Sequence, residues 1–233
     1  MRSNKKFTNF ESTNNIAILF ADPSEFIELK EFSFINEAKT VKTPYGIGYI
    51  FQLKSFNIYY FQVAIGLINA AAACQYLIDK YNIKTVFNYG AVGTSNSKLK
   101  IGEIIFPNKI YLSDAETPWY SFGQTPYEKQ YYLNNFSNVN EDINLASSNA
   151  FISDLNRLAY IQKHIDVNIF DMEAFALAHV CFKNKVKFKT LKYVSDYIGQ
   201  NSSSEIVNAN IKKGSLKALS KVFDFIVSNE EVK

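Results

Sequence analysis

Short apolar runs alternate along the chain with longer stretches whose apolar residues recur at helical spacing. The short runs predict buried strands, and the stretches with helical spacing predict amphipathic helices. We expect strands at 16–21, 49–53, 58–64, 85–89, 103–112 and 188–195. We expect helices at 67–81, near residue 143 or earlier, at 173–183 and at 205–227. This alternation is typical of a largely parallel or mixed sheet with helices on both faces.

No linker-like or low-complexity segment interrupts this alternation, and 233 residues suit one large core. We therefore predict an α/β fold in which a single three-layer α/β/α domain surrounds a central mixed, twisted sheet. The domain is expected to span residues 15–233. Residues 1–14 are polar and form the predicted N-terminal tail.

Composition narrows the possible partners. The formal net charge is +3, but the only arginines are Arg2 and Arg157, so the clustered guanidinium groups typical of nucleic-acid recognition are not found. No apolar run has the form of a signal peptide or the ~20 residues of a membrane span. Cys74 and Cys181 lie in apolar helical patterns and are expected to be buried thiols of a reducing compartment. We expect a cytoplasmic protein with no nucleic-acid or membrane partner.

Polar residues and glycines collect where the predicted strands end. The segments concerned are 20–25, 63–66, 88–93, 149–152, 170–173 and 194–196. In open α/β sheets, ligands bind in the crevice beyond the carboxyl ends of the strands. The pattern therefore predicts one small-molecule site at this edge of the sheet.

The segment 88–94 places Gly90 and Gly93 after a predicted strand. It is not the GxGxxG fingerprint, and no acidic residue stands at the spacing of a ribose contact in dinucleotide-binding proteins. The two glycines have two interpretations. They form a tight turn, or they form a backbone wall that a flat base can approach closely because no Cβ projects from it.

Three acidic positions also allow two interpretations each. Asp196 after Ser195 is either a turn-forming residue or a general acid that protonates a purine at N7 as the bond to ribose breaks. Glu173 after Met172 is either a partner for a helix dipole or an acceptor for two adjacent ribose hydroxyls. Glu25 is either a surface charge or a base that activates water. Spacing alone does not decide between them.

Together these segments resemble the purine and uridine phosphorylase superfamily, and within it the methylthioadenosine/S-adenosylhomocysteine nucleosidases. The resemblance runs from about residue 16 to the C-terminal helix. Its strongest stretches are Phe-Asp-Met-Glu-Ala-Phe-Ala-Leu-Ala-His-Val-Cys at 170–181, Tyr-Val-Ser-Asp at 193–196 and Asn-Tyr-Gly-Ala-Val-Gly at 88–93. Weaker similarities lie at 64–66, 114–126 and 149–152.

The resemblance implies a role for each matching residue. Asp196 would be the general acid toward N7, and Ser195 would orient it. Met172 and Glu173 would hold the ribose, while Glu25 would activate the attacking water. The bond to the base would loosen toward an oxocarbenium-like ribose, a transition state that glycosidases share.

The remaining implied contacts concern the base and the 5′ substituent. Phe151 would stack on the purine and the backbone of Ile152 would meet its Watson–Crick edge. A loop that crosses a dimer interface in this family would cover the 5′ substituent with Trp119, Phe122 and Pro126. The predicted substrate-binding set is completed by Phe170, Asp171, Ala91, Val63 and Asn149, and Lys192 is placed near the attacking water. We expect a homo-oligomer, with a dimer favoured, and neither a metal nor an organic cofactor.

Water and phosphate are the two candidate nucleophiles. Phosphorylases of the superfamily anchor phosphate with arginines, one of them beside the glycine segment, where this chain has Asn88. The guanidinium fork suits phosphate, and lysine replaces it imperfectly. Asn88 is also what the nucleosidases carry, so hydrolysis is favoured.

The chain departs from the nucleosidase pattern mainly on the side of the nucleophile. Val63-Ala64-Ile65-Gly66 stands where the family usually has Ser-Gly-Ile-Gly, Lys192 stands for an arginine, and Asn149 for an aspartate. The leading hypothesis is a hydrolase of adenine nucleosides that carry a 5′-thio substituent and from which it releases adenine. The alternatives are a purine nucleoside phosphorylase or futalosine-type hydrolase of the same fold, and a nucleoside-binding protein without turnover.

Overall fold

The computed structural model describes residues 15–200 and 204–228, and side chains of the last helix from residue 207 onward. The predicted polar tail at 1–14 lies outside the described residues. The extent of one domain over 15–233 therefore stays a prediction, although every strand in the described ranges belongs to one sheet.

The strands are β1 (Asn15–Phe20), β2 (Lys39–Thr43), β3 (Gly46–Leu53), β4 (Phe56–Gln62), β5 (Thr85–Thr94), β6 (Ile104–Ile105), β7 (Lys109–Leu112), β8 (Tyr131–Leu133), β9 (Leu145–Ser147), β10 (Ile169–Asp171) and β11 (Lys187–Tyr197). The α-helices are α1 (Leu67–Tyr81), α2 (Leu155–His164), α3 (Ala174–Lys183) and α4 (Ser204–Ser228). Short 3-10 turns lie at Pro23–Glu25 and Leu29–Glu31.

The sheet has the order β2-β3-β4-β1-β5-β10-β9-β7-β8, and β11 pairs with β5 and β6. Strand β5 lies at its centre. It runs parallel to β1 and β11, and its end at Gly93–Thr94 pairs antiparallel with β10. The sheet is therefore mixed, as predicted, and residues at or just beyond the carboxyl ends of β1, β5, β10 and β11 line one cavity.

Alternating residues of the central strands face two apolar layers. From β1, Ala17 and Leu19 join the cluster that contains α1 and α3, while Ile16 and Ile18 join the cluster that contains α4. Because successive side chains of a strand point to opposite faces, an all-apolar strand needs helices on both sides. This confirms the three-layer arrangement.

Several predicted boundaries were wrong. Gly90 and Gly93 do not end β5, because β11 continues to pair with it as far as Thr94. The run at 103–112 contains two short strands, β6 and β7, rather than one. The helix expected near residue 143 is replaced by β9, which is buried between β7 and β10. Periodicity cannot separate a short buried strand from a buried helical segment.

None of the helices in the described ranges has the length and apolar character that a membrane span requires.

Candidate functional site

A cavity of about 340 Å³ opens where the carboxyl ends of the central strands converge. Its wall is contributed by β5, β10 and β11, by the segments after β1 and β9, and by the start of α4. Residues from positions far apart in sequence therefore meet in one place, as expected for a ligand site of an α/β sheet. The predicted site residues that line it include Glu25, Ala91, Phe151, Ile152, Met172, Glu173, Ser195 and Asp196.

A β-bulge in β11 directs Asp196 toward the cavity. Val194 pairs with Val92 and Asp196 with Gly93, so Ser195 is the extra residue of the bulge. Such a bulge bends its strand and re-aims the neighbouring side chains. The Ser195 hydroxyl lies 2.6 Å from Asp196 Oδ1 and 3.2 Å from the Val92 carbonyl oxygen. Ser195 thus fixes one carboxyl oxygen of a half-buried Asp196.

Glu25 lies at the 3-10 turn after β1, and its carboxyl group is buried. Its Oε2 accepts hydrogen bonds from the amides of Ala21 and Asp22, at 2.9 and 3.0 Å. Its Oε1 accepts one from the Ala91 amide at 2.8 Å. Desolvation raises the pKa of Glu25 above its ordinary value, while the Ala91 amide and the charge of Lys192 oppose that rise.

The glycine segment of β5 allows Glu25 to lie this close. A Cβ at Gly90 would come within 2.9 Å of Glu25 Oε1 and 3.3 Å of Lys192 Nζ. Any side chain at position 90 would therefore displace the carboxylate. Of the two interpretations of these glycines, the structure favours the backbone wall over the tight turn, because both lie within a continuous strand.

Glu173 precedes α3 and is held by backbone donors. Its Oε1 accepts from the Gly66 amide at 2.8 Å, and its Oε2 accepts from the Met172 amide at 3.3 Å. Burial, and next the charge of Asp171, raise the pKa of Glu173 to about 8. Both carboxyl oxygens are therefore held in place by backbone amides at the cavity wall.

Lys192 and Asp171 form a buried ion pair beside the cavity. Lys192 Nζ lies 2.8 Å from Asp171 Oδ2, and both side chains are almost fully buried. Asp171 also accepts from the Ser147 hydroxyl at 2.5 Å and from the Ala174 amide. Asp171 thus ties β9, β10, β11 and the start of α3 together.

The structure brings most of the predicted residues to the cavity and leaves six out. The residues at the wall are Asp196, Glu25, Ser195, Met172, Glu173, Phe151, Ile152, Asp171, Phe170 and Ala91. The six that do not line it are Lys192, Val63, Asn149, Trp119, Phe122 and Pro126. Phe151 is 70% exposed, so an aromatic face is open at the mouth of the cavity.

Of the six residues outside the wall, Lys192 is paired with Asp171, three others have contacts elsewhere and two are exposed. Val63 is buried in the core with α1, because the strand–helix connection turns its side chain inward. Asn149 Oδ1 accepts from the Leu67 amide at 2.9 Å and so caps α1. Phe122 stacks on His164 of α2, with 5.0 Å between ring centroids. Trp119 is 85% exposed, and Pro126 is also exposed.

Several residues of the cavity wall were not predicted from the sequence. Ile198 and Gln200 follow β11, and Val207 and Ile211 belong to the first turns of α4. The direction in which that helix crosses the sheet is not encoded in its periodicity.

Comparison with known proteins gives consistent results. Residues 15–228 match the family model described as Phosphorylase superfamily. A 5′-methylthioadenosine/S-adenosylhomocysteine nucleosidase of Buchnera aphidicola subsp. Acyrthosiphon pisum is 30% identical over 204 residues, which cover 81% of this chain and 87% of the relative.

Two solved structures share the fold. The Neisseria meningitidis 5′-methylthioadenosine/S-adenosylhomocysteine nucleosidase in complex with methylthio-immucillin-A superimposes with a TM-score of 0.81 at 20% identity, covering 93% of this chain and 100% of that one. The Helicobacter pylori futalosine hydrolase superimposes with a TM-score of 0.82 at 17% identity, covering 93% and 98%.

Proposed function

Because this chain belongs to the phosphorylase superfamily, we propose that it is a nucleosidase that hydrolyses the N-glycosidic bond of adenine nucleosides with a 5′-thio substituent. The products are adenine and the free 5′-thio-substituted ribose. One observation carries the proposal: Glu25, Glu173 and Asp196 line one cavity at the strand ends.

Each carboxyl group is suited to a different step. Asp196, fixed by the Ser195 hydroxyl, protonates N7 of the departing base. Glu173 accepts hydrogen bonds from the ribose hydroxyls, with Met172 beside it. Glu25, whose pKa is raised by burial, takes a proton from the water that attacks C1′. Phe151 at the cavity mouth stacks on the purine.

Charge at the cavity floor favours water over phosphate. The positive charge of Lys192 is already paired with Asp171, and Glu25 and Glu173 lie close by. The side chains of the described residues around the cavity therefore offer a phosphate dianion no cation that is not already paired. Asn88 is fully engaged in the sheet, where it donates to the Leu19 carbonyl and accepts from the Thr190 hydroxyl. Arg157 is on the exposed side of α2.

The deciding experiment follows adenine release from methylthioadenosine by the purified protein, with and without added phosphate. Equal rates, with the free sugar as the second product, are expected. Release that requires phosphate would refute hydrolysis and support a phosphorylase. Binding without release would support the nucleoside-binding alternative.

A futalosine-type hydrolase is the second candidate, favoured by the futalosine hydrolase that shares the fold. The two substrates differ in their 5′ substituent. Apart from the residues assigned above to the base, the ribose and the water, the cavity wall includes the apolar residues Ile65, Ile198, Val207 and Ile211 and the polar Gln200. This apolar wall favours a thioether over a carboxylated aromatic ring. Measuring kcat/KM for both substrates distinguishes them.

We also propose that the protein works in the cytoplasm as a homodimer, in methionine salvage. Cys74 and Cys181 are buried thiols with Sγ atoms 4.0 Å apart, which suits a reducing compartment.

The proposed dimer rests on two exposed aromatic residues. Trp119 and Tyr127 are 85% and 94% exposed on the loop that precedes β8. Exposed aromatic residues of this kind are typical of protein interfaces. Sedimentation equilibrium of the wild type and of Trp119→Ala tests the dimer.

A further inference from the structure

Three buried tyrosines form hydrogen bonds with the segment that carries Glu25. Tyr60 of β4, Tyr89 of β5 and Tyr193 of β11 are each fully buried in the core beneath α4. A buried hydroxyl needs a hydrogen-bond partner, because leaving it unpaired costs about 1–3 kcal/mol. Each of these hydroxyls has its partners in the segment that carries Glu25 or in α4.

Two of the tyrosines hold the backbone of that segment. The Ile27 amide donates to the Tyr60 hydroxyl at 3.0 Å, and the Tyr89 hydroxyl donates to the Glu25 carbonyl oxygen at 2.9 Å. The hydroxyls of Tyr60 and Tyr89 are 2.8 Å apart. Since the proton of Tyr89 is used on the carbonyl, Tyr60 is the donor between them. The hydrogen bonds therefore run in one direction, from the Ile27 amide through the Tyr60 and Tyr89 hydroxyls to the Glu25 carbonyl oxygen.

The third tyrosine reaches the carboxyl group itself. The Tyr193 hydroxyl donates to Glu25 Oε1 at 3.4 Å and lies 2.8 Å from Ser215 Oγ of α4. A carboxylate accepts but does not donate, so Tyr193 gives its proton to Glu25 and receives one from Ser215. Ser215 is fully buried, and this contact links α4 to the candidate base.

We propose that Tyr193 is a positioning residue that orients the Glu25 carboxylate toward the cavity and is itself oriented by Ser215. The inference rests on the proposed function, in which Glu25 activates water. The amides of Ala21, Asp22 and Ala91 fix where the two carboxyl oxygens lie. Tyr193 supplies the one side-chain hydroxyl found on that carboxylate among the described residues.

Removing the hydroxyl changes the electrostatic balance around Glu25. The charge of Lys192 acts on Glu25, and the charge of Glu25 in turn acts on Tyr193, Tyr89, Tyr60 and Glu173. The Asp22 carboxylate acts on Tyr193. From α4 the facing group is the neutral Ser215. A donor to the ionised carboxylate favours that form, so loss of the Tyr193 hydroxyl raises the pKa of Glu25 further.

The first test does not require turnover. The carboxyl carbon of Glu25 is followed by NMR in glutamate-labelled protein, with its resonance assigned by Glu25→Gln. We expect a higher titration midpoint in Tyr193→Phe than in the wild type. Tyr59→Phe is the matched control, since Tyr59 neighbours Tyr60 on β4 but faces the opposite layer. An unchanged midpoint in Tyr193→Phe would overturn the inference.

The second test uses steady-state hydrolysis of methylthioadenosine. Tyr193→Phe is expected to lower kcat about 10-fold or more while KM stays within about twofold, because the base is misplaced and substrate contacts are kept. Ser215→Ala is expected to lower kcat in the wild-type background but not further in Tyr193→Phe. A kcat of Tyr193→Phe within twofold of wild type, or additive losses, would contradict the proposed role.

The outcomes separate the two proposals. If the wild-type protein releases no adenine, the proposed function fails, and the NMR titration still decides the contact between Tyr193 and Glu25. If the wild type is active and Tyr193→Phe behaves like Tyr59→Phe, only the positioning role fails. Should Tyr193→Phe not fold, Ser215→Ala provides the same comparison with the aromatic ring in place.

Discussion

Lys192 Nζ lies 2.8 Å from Asp171 Oδ2 within the interior of the protein. The pair joins β11 to β10 directly beneath the carboxyl groups of the cavity. Attraction between buried charges offsets their desolvation only while both partners are present. Lys192 and Asp171 therefore contribute both to the stability of the fold and to the charge beside the cavity.

Replacing Lys192 with methionine should destabilise the protein by about 3–5 kcal/mol, because Asp171 is left buried and without its cation. Urea unfolding measures the change. Lys98→Met is the control: it removes an exposed lysine from the loop after β5 and should cost about 0.5 kcal/mol or less. Equal effects of the two variants would show that the buried pair contributes nothing specific.

Asp196→Asn should lower kcat for methylthioadenosine by about 10²–10⁴-fold, the range of general acid catalysis, with little change in stability. The asparagine keeps the size of the side chain but has no acidic proton to give. Ser195→Ala should cause a smaller loss, because it frees one carboxyl oxygen and leaves the acid in place. Full activity of Asp196→Asn would exclude Asp196 as the acid.

Glu173 should make stability depend on pH. Burial, and next the charge of Asp171, raise its pKa from 4.5 to about 8 in the folded state. Between these values the folded state binds more protons than the unfolded state, so the contribution is fully present below about pH 4.5 and is lost as pH rises through about 8. Glu173→Gln should therefore gain stability relative to the wild type as the pH increases.

Thermal unfolding at about pH 6 and about pH 9 measures this difference. The Tm of Glu173→Gln minus that of the wild type should be several degrees larger at the higher pH. Glu103→Gln on the exposed surface serves as the control. A difference that is independent of pH would mean that Glu173 does not titrate in this range.

Gly214→Ala tests how tightly α4 packs on β11. In an exposed helix this substitution would stabilise by about 1 kcal/mol. Here the added Cβ would come within 2.2 Å of Tyr193 Cδ2, so the ring or the helix must move. We expect a loss of about 1–3 kcal/mol instead, with reduced kcat. Lys212→Ala on the exposed face of α4 should be neutral, and a stabilising Gly214→Ala would contradict the close contact.

The predicted helices α1, α3 and α4 agree with the structure to within about one residue, because a 3.6-residue period persists over many turns. Strand β9 and helix α2 were not found. β9 is three residues long, and no period can be read from so short a run. The predicted residues of β10 and β11 do line the cavity. They could be predicted because the end of a strand is marked by a short local stretch of sequence.

The sequence by itself determined which acidic residues lie near the ends of β1, β10 and β11, although it placed the end of β5 too early. Those properties depend on short stretches of chain. Only the tertiary structure decided that Lys192 pairs with Asp171, that Asn149 caps α1 and that Tyr193 reaches Glu25 across 168 positions. Such contacts depend on how helices and strands cross one another. That geometry follows from packing of the whole core and is not encoded in any single period or spacing.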